Sequence, residues 1–235
     1  LLAMTIQGFL PDVTSIGRGG LAMTSGRAGP GPGWGSGGSR DNRFVSDILD
    51  IFKRQGALLE GHFLLSSGLH SAQYLQCARV LMDTKIASDF GARVASKLGA
   101  AGVVPDVVVG PAMGGIVIGH EVARAFGARS LFTEREGTTM TLRRGFSLAS
   151  GEKVVVVEDV VTTGKSTREV MQVIEATGAK VIGVGSLIDR SGGKHGFEVP
   201  FESLLTVNVD TWPAASCPLC AAGSEPVKPG SRPKA

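Results

Sequence analysis

The sequence predicts an α/β fold, a parallel sheet covered by helices on both faces. Three observations lead there. The runs "PDVVVG", "KVVVVED" and "KVIGVGSLIDR" are apolar almost throughout, as strands buried on both faces are. Segments with helical apolar spacing alternate with them, the pattern of a parallel sheet with crossover helices. A chain of 235 residues, 43% hydrophobic with mean hydropathy +0.17, suffices for one core but not for two large domains.

The elements follow in order. Residues 1–41 read as a disordered or mis-annotated extension. The stretch "GRAGPGPGWGSGGSR" is too rich in Gly, Pro and Ser to bury a core, and the chain begins with Leu, with Met4 and Met23 as possible starts. Residues 42–220 read as the folded domain. Phe44, Val45, Ile48, Leu49 and Phe52 share a helical face that Gly56 ends. "ALLEGHFLLSSGLHSAQYLQC" reads as short strands and turns. Ile86, Phe90, Val94 and Leu98 mark a helix from Asp83 to Leu98. "PDVVVG" is a buried strand, "GGIVIGHEVARAFGA" a helix stopped at Gly127, "SLFTERE" a strand and "GTTMTLRRG" a polar loop. "KVVVVED" is a strand, Ser166 to Thr177 a helix, "KVIGVGSLIDR" a strand, and "LLTVNV" the last strand. Residues 221–235 read as a flexible tail. In such sheets ligands gather at the carboxyl ends of strands, here the loops 110–115, 133–145 and 159–166.

Composition narrows the function. The net charge is +3, but residues 1–40 and 221–235 carry +2 each, so the domain between is slightly acidic. The basic pI of about 8.9 therefore belongs to the ends, and a nucleic-acid partner is not expected. No apolar run reaches the ~18 residues of a membrane span, and the first residues lack a basic signal-peptide region. Three cysteines make no disulfide framework, which fits a reducing cytoplasm.

The chemistry concentrates in "VVVVEDVVTTGKST", Val154 to Thr167. Its end imitates an ATP-binding loop, but the glycine that loop needs five residues before Gly164 is Asp159. The turn Thr162, Thr163, Gly164, Lys165, Ser166 opens a helix and can offer backbone amides to one phosphate. Glu158 and Asp159 would repel a triphosphate, yet their oxygens suit the vicinal hydroxyls of a sugar. A ribose phosphate satisfies both halves.

This stretch resembles the 5-phosphoribosyl diphosphate (PRPP) signature of type I phosphoribosyltransferases. Three further stretches resemble the orotate-specific members: "FLLSSGLHSAQYLQC", the loop and helix "GPAMGGIVIGHEVA", and "FTEREG" at the start of a mobile hood. "LIDRSGG" has Arg190 where that family binds the carboxylate of orotate. The resemblance implies transfer of 5-phosphoribosyl from PRPP to orotate, giving orotidine 5′-monophosphate and diphosphate, a step of pyrimidine biosynthesis. It implies a parallel-sheet fold with a small hood, a homodimer with shared sites, and Mg2+ held mainly by PRPP rather than by side chains. It assigns PRPP to Glu158, Asp159, Val160, Val161, Thr162, Thr163, Gly164, Lys165 and Ser166. The loop Pro111, Ala112, Met113, Gly114 and Gly115 would meet the diphosphate, with Arg135, Arg143 and Arg144 in the hood. Orotate would meet Thr162, Arg190, Ser67 and Gly68. Catalysis would rest on Asp159, Glu158 and Arg135.

The sequence departs from the family pattern in places. Ser66 stands where many members have Lys, and the hood lacks the usual later Lys and His. Those losses keep a non-catalytic PRPP-binding regulator as an alternative, beside a purine or other base phosphoribosyltransferase. Cys217-Pro-Leu-Cys220 is a lone C-x-x-C. A structural zinc needs four ligands, and nothing in the sequence places His195 or Cys77 nearby, so two unpaired thiols are expected. His62, His70 and His120 read as turn or helix-surface residues.

Overall fold

The computed structural model describes residues 40–65 and 67–229, and side chains from Asp47 onward. The expected extension therefore lies outside the described residues except for its last two positions. Phe44 and Val45 fall in a described helix, but their side chains, like Ser66, lie outside them.

The chain opens with α1 (Arg40–Arg54), whose Ile48 and Phe52 are fully buried. An antiparallel hairpin follows, β1 (Leu58–Leu64) and β2 (His70–Leu75). A short helix α2 (Cys77–Leu81), not foreseen in the sequence, leads to α3 (Thr84–Ala100). Asp83 caps α3 by accepting from the amides of Lys85 (2.9 Å) and Ile86 (3.2 Å). Then come β3 (Val107–Pro111), α4 (Gly114–Phe126) and β4 (Arg129–Glu136). The segment expected to be a polar loop forms β5 (Thr139–Leu142), antiparallel to β4 across the two-residue turn Gly137-Thr138. After it lie β6 (Lys153–Val161), α5 (Lys165–Glu175), β7 (Lys180–Asp189) and β8 (Phe201–Thr206). A two-residue strand β9 (Thr211–Trp212) and the one-turn helix α6 (Pro218–Ala221) complete the elements.

The main sheet has the order β5-β4-β3-β6-β7-β8, and every pairing except β4 with β5 is parallel. Side chains alternate across it. Val108, Val155 and Val157 pack with α1 to α4 residues such as Phe52, Phe90, Val94 and Ile118. Val107, Val109, Val154 and Val156 pack with Val170 and Ile174 of α5 and with Met140 of β5. Val154 to Val157 are wholly inaccessible to solvent, which is why this strand reads as apolar without alternation. The sheet is thus covered on both faces, as expected, but unevenly.

A second, three-stranded sheet has the order β1-β2-β9. On the outer edge of β1, Val227 donates its amide to the His62 carbonyl (2.8 Å), and Leu64 donates to the Val227 carbonyl (2.9 Å). Residues up to Val227 are therefore bound to the domain, which corrects the reading of 221–235 as a loose tail. The tail's apolar Val227 finds an open strand edge that local composition does not reveal. Residues 230–235 lie outside the described residues.

Candidate functional site

The site forms where β3, β6 and β7 end. Gly110 of β3, Gly115 of α4 and the carbonyl of Val157 meet with no room for side chains: a Cβ on Gly115 would stand 2.7 Å from that carbonyl. This close approach brings the start of α4 against the exit of β6. The Ala112 amide donates to the Thr133 carbonyl (2.7 Å), tying the Pro111–Gly115 loop to β4, and the Ala112–Met113 peptide is cis. Met113 is exposed.

Glu158 and Asp159 follow the valines and take opposite faces of the sheet. Glu158 lies on the α5 side, buried, and accepts from the Ser166 hydroxyl (3.2 Å). Asp159 lies on the α4 side, close enough to Gly114 that a Cβ there would stand 2.5 Å from its carboxylate. Its Oδ1 accepts from the Val160 amide (2.8 Å). Burial first, then the neighbouring Asp159 charge, push the Glu158 carboxyl up to about 8. Burial also raises the Asp159 carboxyl above its usual range.

Beyond Val161 the turn exposes Thr162 and Thr163, and Gly164 takes the left-handed conformation (φ +70°). A Cβ on Gly164 would meet the His195 carbonyl at 2.7 Å. Gly164 offers α5 no capping side chain, and the Lys165 amide reaches only the Thr163 hydroxyl at 3.4 Å, so the start of the helix keeps amides to offer an anion. Arg168 bonds the carbonyls of Thr163 and His195 and braces the turn from behind. Lys165 is exposed.

Arg190 directly follows β7, its amide bonded to the Val161 carbonyl (2.8 Å). Its Nε is buried without a hydrogen-bond partner among the described residues, and burial lowers the guanidinium's proton affinity, partly offset by the Tyr74 phenol. Tyr74, on β2, is raised first by burial and then by Asp159. The Cys77 thiol, also beside Asp159, is raised well above its usual range by burial and that charge. The α4 face thus gathers Asp159, Gly114, Tyr74, Cys77 and Arg190. Tyr74 was not among the expected site residues, although it lies within the first resembling stretch. Ser67 and Gly68 sit in the exposed β1–β2 turn.

The hood differs from expectation. Met140 is buried against the α5 side of the sheet, so the segment 137–142 is a packed hairpin rather than a loose loop. Arg135 is ion-paired with Glu169 of α5 and donates to the Thr138 carbonyl (2.9 Å). Arg144 makes two hydrogen bonds of 2.7 Å to Glu134 and lies over the Phe132 ring. Arg143 is exposed. Two of the three arginines are thus held in ion pairs, Arg135 with the start of α5 and Arg144 with β4. His195 stacks on Phe197 and meets Phe201 edge-on, away from the C-x-x-C pair. His120 is exposed on α4, as expected.

Residues 84–215 match the phosphoribosyl transferase domain family. The orotate phosphoribosyltransferase of Carboxydothermus hydrogenoformans is 52% identical over 189 residues, covering 80% of this chain and 99% of the relative. The chain belongs to the orotate phosphoribosyltransferase family. The orotate phosphoribosyltransferase of Thermotoga maritima is likewise 52% identical, over 79% of this chain and 98% of its own. The crystal structure of the Aeropyrum pernix orotate phosphoribosyltransferase superposes with a TM-score of 0.59 at 28% identity, covering 68% of this chain and 93% of that one. An orotate phosphoribosyltransferase fold thus accounts for the parallel sheet. Among the described residues no helix is long and apolar enough to cross a membrane.

Proposed function

We propose that this chain transfers 5-phosphoribosyl from PRPP to orotate, giving orotidine 5′-monophosphate and diphosphate, through the site at the ends of β3, β6 and β7. One observation carries the assignment to orotate. Arg190 is half-buried, destabilised as a cation by that burial, and has an Nε without a partner among the described residues, next to the strand end that suits a ribose. Such a guanidinium gains most from a planar anion that desolvates with it, and orotate brings a carboxylate where a purine brings none.

The other roles follow from position. The uncapped start of α5, with Thr162 and Thr163, suits the 5′-phosphate. Asp159 and Glu158 bracket the end of β6 from two faces and suit the ribose hydroxyls. Donated hydrogen bonds and the positive charge that develops on the ribose both favour their ionised forms. The Pro111–Gly115 loop suits the diphosphate. Arg135, Arg143 and Arg144 remain candidates for the same anion, since exposed ion pairs such as those of Arg135 and Arg144 are weak and exchange readily. Magnesium fits this surround, because Glu158, Asp159, Thr162 and Thr163 offer only oxygen side-chain donors, and it would offset the charge of the diphosphate. Three cysteines with no disulfide among them are compatible with the cytoplasmic setting that this reading expects. The shared-site homodimer of the resemblance belongs to this proposal too, with the exposed Arg143 and Arg144 as the hood residues that would reach a partner's site.

The test is the loss of orotate absorbance on adding PRPP and magnesium. Arg190→Ala should weaken orotate binding by roughly 2–5 kcal/mol while leaving PRPP affinity nearly unchanged. No turnover with orotate, or orotate affinity within twofold of wild type in the variant, rejects this reading.

A further inference from the structure

We propose that His62, His70, Cys217 and Cys220 bind one structural zinc ion, a site separate from the reaction chemistry and independent of it. Sequence alone predicts two unpaired thiols. The fold instead brings them to two histidines of the small sheet, and the ligand atoms of all four lie within 4.8 Å of one another.

Three of the separations are those of a tetrahedral site. Zinc bonds of ≈ 2.3 Å to sulfur and ≈ 2.0–2.1 Å to nitrogen set neighbouring ligand atoms roughly 3.3–3.8 Å apart. The observed separations are 3.5 Å from Cys217 Sγ to His62 Nε2, 3.8 Å from Cys220 Sγ to His62 Nε2, and 3.3 Å from Cys220 Sγ to His70 Nδ1. The two ring nitrogens are closer, at 2.8 Å.

Hydrogen bonding among the four groups does not account for this packing. His62 Nε2 faces His70 Nδ1 and both sulfurs, yet a ring nitrogen has one proton or one lone pair to offer. The other nitrogen of His62 decides which. Nδ1 lies 3.0 Å from the Ser224 carbonyl, which only accepts, so Nδ1 carries the proton. In the neutral ring Nε2 then presents its lone pair to the cluster. A ring N–H anchored on a backbone carbonyl is how metal-bound histidines are oriented. His62, His70 and Cys217 are nearly inaccessible to solvent, so the cluster is shielded. Sulfur and imidazole donors select zinc and disfavour magnesium. Four protein ligands leave no open position for a substrate, which makes the site structural.

The local fold supplies the ligands in pairs. Cys217 immediately precedes α6 and Cys220 lies one helical turn on. His62 and His70 come from β1 and β2, either side of the turn that holds Ser67 and Gly68. The ion would join residues 217–220 to a hairpin more than 140 positions earlier in the chain, and that hairpin carries Tyr74.

The experiment is metal analysis of untagged, full-length protein purified in the presence of zinc, with cobalt substitution as a second readout. One zinc per chain is expected, together with the sulfur-to-cobalt charge-transfer and strong ligand-field bands of a tetrahedral cobalt–thiolate site. Cys217→Ser/Cys220→Ser should lose both signals, and Cys77→Ala should keep both. If the double variant does not fold, the cobalt spectrum of the wild type still decides, because only thiolate ligation produces the charge-transfer band. Absence of metal, iron in place of zinc, a cobalt spectrum without sulfur bands, or a Cys217–Cys220 disulfide in the purified protein overturns the proposal.

Discussion

Two adjacent carboxylates do different things because a strand turns successive side chains to opposite sides. Glu158 is enclosed on the α5 side with Ser166, and Asp159 is held against Gly114 on the α4 side. The high proton affinity of Glu158 makes a stability prediction. Its carboxyl rises from an ordinary value of 4.5 to about 8 in the fold, so between those pH values the folded protein holds a proton that the unfolded chain has released. Its contribution to stability therefore falls as pH rises through that window. Glu158→Gln, which imitates the protonated form, should gain on wild type by roughly 2–4 kcal/mol between pH 4.5 and pH 8.5, read from urea melts of both proteins. Parallel pH profiles would mean that the buried charge is relieved some other way. Asp159→Asn should instead reduce turnover by ~10²-fold or more, an electrostatic loss opposite a developing cation. Near-normal turnover would remove Asp159 from the ribose site. At this scale the sequence is informative where neighbours in the chain are neighbours in space, as from Val154 to Ser166. It is silent on His62 and Cys217, 155 positions apart, because nothing local in either stretch names the other.

Elements meet at the site through backbone rather than side chains. Gly115 and Gly114 adjoin in sequence but guard different things. A methyl group on Gly115 would press on the Val157 carbonyl and the Pro111 ring, neither of which moves without shifting the sheet. A methyl group on Gly114 would press only on the Asp159 carboxylate, the end of a side chain that can swing away. Gly115→Ala should therefore cost about 1–3 kcal/mol of stability by overpacking. Gly114→Ala should leave the melting temperature nearly unchanged and lower turnover, because it displaces the carboxylate. Equal effects on melting would show that the Gly114 contact is as rigid as its neighbour's. The main strands and long helices were legible because apolar runs and helical periodicity state them directly. β5 was not, since "TMTL" between polar residues has two apolar positions and its burial depends on α5 across the sheet. β9 pairs for two residues with a strand from the other end of the domain, which no local pattern records.

At the scale of the whole molecule, the fold class was legible because alternation of strand and helix runs through the chain. The small sheet was not, because it joins residues near both ends of the domain. The proposed homodimer makes a prediction at this scale. Subunits carrying Arg143→Ala/Arg144→Ala and subunits carrying Asp159→Asn should each be nearly inactive alone. If the hood serves a partner's site, mixing them should restore about a quarter of wild-type activity, since random pairing makes half the dimers mixed with one sound site in each. Heterodimers without recovered activity would assign the hood to its own chain. The small sheet also bears on biosynthesis. Ser71 of β2 bonds the carbonyl of Asp210, 139 residues later. A two-stranded hairpin is marginal by itself. At ~5–20 residues per second, β1 and β2 leave the ribosome roughly 7–28 s before the segment that completes their sheet. During translation the wall carrying Tyr74 is therefore the last part of the site to set, after the cradle at β6 has already been made.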